Sequence, residues 1–454
     1  MDSALVIIVV HVNDCTIALS KRELIDELKM CIKEFVEITD MGELHWLLGI
    51  EVKRDWEART ILLSQCSYID SIIHRFGFED LKPITTPMDP NAKLSTAQNP
   101  STGAQYAAMW NIPYREAVVM LMYAMLGTRP DISYAVTMVS KFSSNPGMAH
   151  WDVVKRIYHY LLGSKDLWLM YGGDTKVLVG YADADGSMAE DWCAVSGYTF
   201  IVDGGAVSWS TKCQEIVSLS TTESEYITTT HAAKEVLWLC SLIMQVFGPL
   251  TQATTLFLDN QSAIVLAKDH QYHPCTKHID VRFYFIHWVV QDGKICLIFC
   301  PTDDMVADTL TKALPLPKVK HFASELRLHN AWGGVLEQQA PPARYLDICA
   351  SLHWWLLMPL STYALGKHVR THYSISQPHD IILWLSIDFS TIISSWFLDY
   401  MILYFPFLLY LVMFISRPSD VVPHPSATSE LSYLQIPLRS FCVSITGQDD
   451  SEAT

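Results

Sequence analysis

The chain has 454 residues, room for about three domains at roughly 150 residues each, and half of it is apolar, enough for each domain to bury a core. Its formal net charge is −16, which argues against a protein that coats nucleic acid non-specifically, because that affinity comes from Lys and Arg neutralising phosphates. Eleven cysteines include no C-x-x-C pair and no basic-headed signal precedes "LVIIVV", so the reading is an intracellular, reduced protein, cytoplasmic or nuclear.

The first stretch, "ALVIIVVHVNDCTIALSK", has two apolar runs around His11, Val12, Asn13 and Asp14 and predicts a β-hairpin with a polar turn. Taken alone, Asn13 and Asp14 are ordinary turn formers. "ELIDELKMCIKEF" spaces Leu24, Ile25, Leu28, Cys31, Ile32 and Phe35 as a helix does. "DMGELHWLLGIEV" then reads as a strand hairpin and "TILLSQCSYIDSIIHRFGF" as an amphipathic helix, making residues 1–88 a mixed α/β unit. Residues 83–113 are rich in Pro, Thr, Ser and Asn and mark a linker. Two helices follow, Tyr114–Leu126 and Ser133–Leu162, parted by "TRPD", so 89–174 is a linker and helical connection.

From Thr175 strands dominate. "KVLVGYADA", "CAVSGYTFIV" and "GAVSWSTK" are three antiparallel runs, followed by one long helix from "SLSTTESEY" to Gly248 with Ser220 and Glu223 as its capping box. A strand "TTLFLD", helices "NQSAIVLAK" and "IDVRFYFIHWVVQDG", a strand "KICLIFC" and a helix from "TDDMVADTLTKAL" complete one compact α/β domain over 175–330. Cys296 and Cys300 are expected to share a strand face as packing residues. His270, His273, Cys275 and His278 could gather around zinc, but their spacing matches no common structural zinc pattern.

After residue 330 no helical or strand period organises the chain, and 331–454 is expected to be an irregular apolar tail. "YMILYFPFLLYLVMFI" is sixteen residues long and interrupted by Pro406, short of the roughly 20 a bilayer span needs. Extending it across 381–416 brings in Asp388 and Asp399, which are costly in lipid, so membrane attachment is the weaker reading.

Four carboxylates sit where elements end or turn. Asp183 ends the first strand of the domain, Glu225 lies one turn into its long helix, Asp259 ends the next strand, and Asp308 lies in the closing helix. Glu223 has a structural task at the helix cap, so Glu225 is the better ligand candidate, and Asp183 is preferred to Asp185, which opens a turn with Gly186. Each alone reads as a solvated surface acid. Gathered together they would repel one another without a cation, which points to a hard metal with oxygen ligands.

"GYADADG", "SGYTF", "VSWSTKCQEIVSLSTTESEY", "LFLDNQSAIVLAK", "TKHIDVRFYFI" and "VADTLTKALP" together closely resemble the ribonuclease H domain of copia-type retrotransposon polyproteins. That resemblance implies a mixed five-stranded sheet with helices, and Asp183, Glu225, Asp259 and Asp308 as catalytic and metal-binding acids. It further implies two Mg²⁺ ions, with Mn²⁺ as substitute, and an RNA–DNA hybrid as substrate. Asp183 would bridge both ions, Glu225 and Asp259 would share one, and Asp308 the other. Other retrotransposon proteins are implied as further partners. Cys213 and Cys275 depart from the usual residues, outside the carboxylate set.

"HVND" similarly resembles the Tyr-Val-Asp-Asp turn of copia-type reverse transcriptases, and "YREAVVMLMYAMLGTRPDISYAV" and "HWDVVKRIYHYLLG" resemble the segments that follow it. In this chain the turn carries Asn13 before Asp14, a neutral amide where a metal-binding carboxylate is usual, and Val119 and Met120 replace a small pair. The expectation is a truncated palm and thumb remnant, its earlier palm strand lying before Met1, without polymerase activity. Two alternatives are a decayed, non-catalytic nucleic-acid-binding relic and a membrane-associated protein. The junction "NAWGGVLEQQAPPARY" suggests that residues beyond about 336 are read-through of repeat DNA.

Overall fold

The computed structural model describes residues 5–11, 14–19, 23–172, 177–186, 193–218, 220–250, 252–268, 280–330, 369–374, 381–387 and 431–435. The chain divides into two compact units, residues 1–47 with 358–454, and residues 48–357.

In the first unit the strands Leu5–His11 and Asp14–Leu19 pair antiparallel with His11 opposite Asp14, as the sequence predicts for a two-residue turn. Val12 and Asn13 themselves lie outside the described residues. The helix Glu23–Phe35 forms where its apolar spacing places it. Ile25 packs on Ile8, Cys15 and Ile17, and Leu24, Leu28 and Ile32 border that core. Three strands of the distal region, Val369–Ser374, Ile381–Ile387 and Leu431–Gln435, join this sheet, where an irregular tail was expected. The rest of the 381–416 stretch lies outside the described residues, as does the His270, His273, Cys275 and His278 group. Among the described residues no helix is long and apolar enough to cross a membrane.

The second unit contains the predicted helices with several corrections: a short helix, Gly103–Met109, lies within the stretch read as a linker, and the helix expected from "TDDMVADTLTKAL" is the single turn Asp308–Thr311. The stretch "TILLSQCSYIDSIIHRFGF" opens as a strand, Thr60–Ser64, before the helix Cys66–Arg75. The helix expected over 133–162 is two, Ser133–Ser140 and Met148–Ser164. Pro146 and Gly147 enforce the break, since proline cannot donate within a helix and Gly147 caps the second one, its N–H donating to His150 Nδ1 at 2.9 Å. Between Tyr114–Gly127 and Ser133–Ser140 the "TRPD" segment does more than stop a helix. Arg129 and Asp131 are both buried and paired through Nε and Nη2 at 2.9 and 2.7 Å, and Tyr160 donates its hydroxyl to Asp131 at 2.6 Å.

The carboxylates belong to a five-stranded sheet. Its strands are β1 (Val179–Asp185), β2 (Val195–Val202), β3 (Gly205–Cys213), β4 (Thr254–Leu258) and β5 (Ile295–Phe299). They lie in the order β3-β2-β1-β4-β5, the first three antiparallel and β4 and β5 parallel to β1. The helices are α1 (Thr221–Phe247), α2 (Gln261–Lys268), α3 (Asp280–Gln291), the single-turn α4 (Asp308–Thr311) and α5 (Leu316–Glu325). α5 was not anticipated. A strand Leu328–Asn330 after it pairs with Leu167–Tyr171, which in turn pairs with Thr60–Ser64, a non-local match that no local period reveals. Cys296 is exposed whereas Cys300 is buried, because β5 ends at Phe299 and the chain turns before the second thiol.

Candidate active site

β1 and β4 are adjacent parallel strands with Phe257 opposite Tyr181, and the same register continued two residues sets Asp259 level with Asp183. β4 ends at Leu258 whereas β1 runs on to Asp185, so Asp183 lies within its strand where the sequence predicts that it ends one, and Asp259 follows its strand directly. Both face the crevice at the carboxyl ends of the parallel strands, where ligands of α/β sheets bind. Glu225 reaches that crevice from α1. Ser220 Oγ accepts the Glu223 N–H at 3.2 Å, which fixes the helix start and leaves Glu225 one turn further in. Gln214, from the end of β3, donates to Ser196 Oγ and the Ser224 carbonyl, both at 2.9 Å, and ties the first turns of α1 to the sheet.

Oxygens of Asp183, Glu225 and Asp259 lie within 4.8 Å of one another. They line an open cleft of about 520 Å³ with Asp185, Thr221, Asn260, Gln261 and Lys312. Asp183 and Glu225 are buried, Asp259 is half-buried, and Glu225 Oε2 is buried with no hydrogen-bond partner among the described residues. Thr302 donates its hydroxyl to Asp259 Oδ2 at 3.1 Å.

Asp308 is buried and is not one of the three converging acids. Its approach depends on Gly197, the β2 residue opposite Asp183: a Cβ there would lie 2.6 Å from Thr311 Cγ2 and 2.9 Å from Leu310 Cβ. Thr211 of β3 donates to the Leu310 carbonyl at 2.8 Å and holds α4 against the sheet. Thr311 in turn donates its hydroxyl to Asp183 Oδ2. Lys312 Nζ is 2.8 Å from Asp308 Oδ1 and 3.7 Å from Asp183 Oδ2. Thr302, Thr311 and Lys312 were not singled out in the sequence, although the spacing of Asp308 and Lys312 is that of an i,i+4 pair.

Burial disfavours the charged form of Asp183, Lys312 and Thr311 counteract it, and the charges of Asp308 and Asp259 add to it, so this carboxyl is pushed up to about 7. Burial, then Asp183 and Asp259, push Glu225 well above the usual carboxylate range, against the Ala184 N–H and Lys312. Burial raises Asp308 as well. Lys312 is raised, Asp183 and Asp308 outweighing the effect of burial. A carboxyl raised in the folded state binds protons there that the unfolded chain has already released, so stability is lost as pH rises from about 4 towards 7. We therefore expect the metal-free protein to be less stable at pH 8 than at pH 5, and Mg²⁺ to raise Tm markedly at pH 8 and little at pH 5. Scanning calorimetry in EDTA and in Mg²⁺ checks this, and an equal Mg²⁺ shift at both pH values would contradict it.

A family described as reverse transcriptase (RNA-dependent DNA polymerase) matches residues 1–90. The retrovirus-related Pol polyprotein from transposon TNT 1-94 of Nicotiana tabacum is 39% identical over 328 residues, 72% of this chain and 24% of the relative. The retrovirus-related Pol polyprotein from transposon RE1 of Arabidopsis thaliana is 34% identical over 325 residues, 71% of this chain and 22% of the relative. Among solved structures, LC11-RNase H1 in complex with RNA/DNA hybrid matches at 14% identity with a TM-score of 0.23, covering 30% of this chain and 93% of the other. These likenesses identify the chain as a copia-like retrotransposon Pol polyprotein fragment. It spans about a quarter of the length of the curated relatives it matches.

Proposed function

We propose that the domain over 175–330 is a ribonuclease H that hydrolyses the RNA strand of an RNA–DNA hybrid with divalent cations. The observation that carries this reading is the convergence within 4.8 Å of Asp183 from β1, Glu225 from α1 and Asp259 just after β4. The strand order supports it, being the mixed five-stranded arrangement that the sequence resemblance implies.

The residues fit a hard divalent ion. The converging donors are all carboxylate oxygens, which select Mg²⁺ or Mn²⁺ over thiophilic metals, and Glu225 Oε2 is a buried acceptor awaiting a partner. Asp183, Glu225 and Asp259 would hold one ion, and Asp183 with Asp308 a second. Bound, such ions lower the pKa of a coordinated water and stabilise the leaving 3′ oxygen. Thr311 fixes the orientation of Asp183, and Thr302 that of Asp259. The open cleft suits a helical substrate recognised by backbone shape and 2′-hydroxyls.

The reverse-transcriptase-like region is proposed to lack polymerase activity, because the neutral amide of Asn13 cannot supply the anionic ligand that Mg²⁺ prefers. The test of the ribonuclease reading is a substrate panel for the full chain in Mg²⁺. Cleavage of the hybrid with none of duplex DNA or duplex RNA is expected, and equal cleavage of duplex RNA would overturn the assignment.

A further inference from the structure

Asp308 stands outside the group of three converging acids, and Lys312 joins it to Asp183. One helical turn after Asp308, its ammonium lies 2.8 Å from Asp308 Oδ1 and 3.7 Å from Asp183 Oδ2. These are the two acids that the proposed function assigns to a second ion. On the other side of Asp183 the arrangement is reversed, for no lysine or arginine ion pair to Glu225 or Asp259 is found among the described residues, and Glu225 Oε2 has no hydrogen-bond partner. Of the four carboxylates, Asp183 and Asp308 are thus already bridged by a cation, whereas Glu225 and Asp259 carry no such ion pair among the described residues.

The ammonium is a compact charge on a flexible four-carbon stem, and the Lys312 side chain retains 33% of its exposure, so it can withdraw into the cleft it lines. Asp183 needs no such movement, since Thr311 holds its Oδ2 while Lys312 leaves.

We propose that Lys312 is a resident cation occupying the second ion position of the free protein. One divalent ion then binds among Asp183, Glu225 and Asp259, and a second enters only by displacing the ammonium from Asp183 and Asp308. The proposal rests on the carboxylate cluster being a metal centre, as inferred above.

Counting bound Mn²⁺ on the full chain without nucleic acid, from the free-ion electron paramagnetic resonance signal, tests it apart from activity. The wild type is expected to take one ion per chain. Whichever of Lys312→Met and Lys312→Gln keeps the wild-type circular dichroism is expected to take two, with spin coupling between them, and Lys312→Arg to return to one. Two ions on the wild type, or one on a folded neutral variant, would overturn the role of Lys312 while leaving the metal centre intact. Asp259→Asn separates the two claims: if it binds Mn²⁺ as the wild type does, the centre itself is misassigned and the proposal falls with it.

Discussion

Asp259→Asn is expected to lower hybrid cleavage by at least about 100-fold with the fold unchanged. Loss of an outer hydrogen bond to a metal ligand costs 10–100-fold, and a direct ligand costs more. Asp259 is the most informative of the acids to replace because it is half-buried at the cleft and its fixed partner is the Thr302 hydroxyl, so an isosteric amide leaves the packing alone. Asp183 is less clean, since burial and its neighbours penalise its charge, and Asp183→Asn would stabilise the metal-free protein while removing a ligand. Turnover of a labelled hybrid, with circular dichroism as the control for folding, measures the effect. Cleavage by Asp259→Asn within a few-fold of the wild type would remove Asp259 from the site.

The largest stability effect is expected away from the cleft, at the buried pair between the two helices of the connection. Asp131→Ala leaves the Arg129 guanidinium, which is fully buried, with only the Ser164 carbonyl and hydroxyl at 3.0 and 2.7 Å. Removing one partner of a buried pair costs about 3–5 kcal/mol, because the remaining charge is uncompensated. Asp131 also accepts from Tyr160, so that hydroxyl loses its partner too. The double variant Arg129→Met/Asp131→Leu should lose less than Asp131→Ala, since a buried pair exchanged for apolar groups is often near neutral. Urea unfolding of the three proteins decides this, and a double variant less stable than the single would show that the pair contributes net stability.

Several elements were legible because their signal is local. The helix Glu23–Phe35 and the long helix from Thr221 follow from apolar spacing and from Ser220 as cap. Asp259 could be picked out because a polar residue just after an apolar strand run is conspicuous, and Asp183 by the same signal, although its strand runs on to Asp185. What escaped is non-local or depends on side-chain reach. The pairing of Leu328–Asn330 with Leu167–Tyr171 joins segments far apart in sequence. Lys312 was overlooked because its role exists only once α4 is pressed against Gly197. The break at Pro146 was readable, but the apolar period on either side of it masked the interruption. The strands Val369–Ser374, Ile381–Ile387 and Leu431–Gln435 carry no clear alternation, so pattern reading passed them over.

The central claim is most directly tested by incubating the purified full chain with a hybrid whose RNA and DNA strands carry different labels, in Mg²⁺ and in EDTA. The account predicts internal cuts in the RNA strand alone, in Mg²⁺ alone. A folded protein that binds Mn²⁺ yet leaves the RNA intact, or cuts it equally in EDTA, would contradict it.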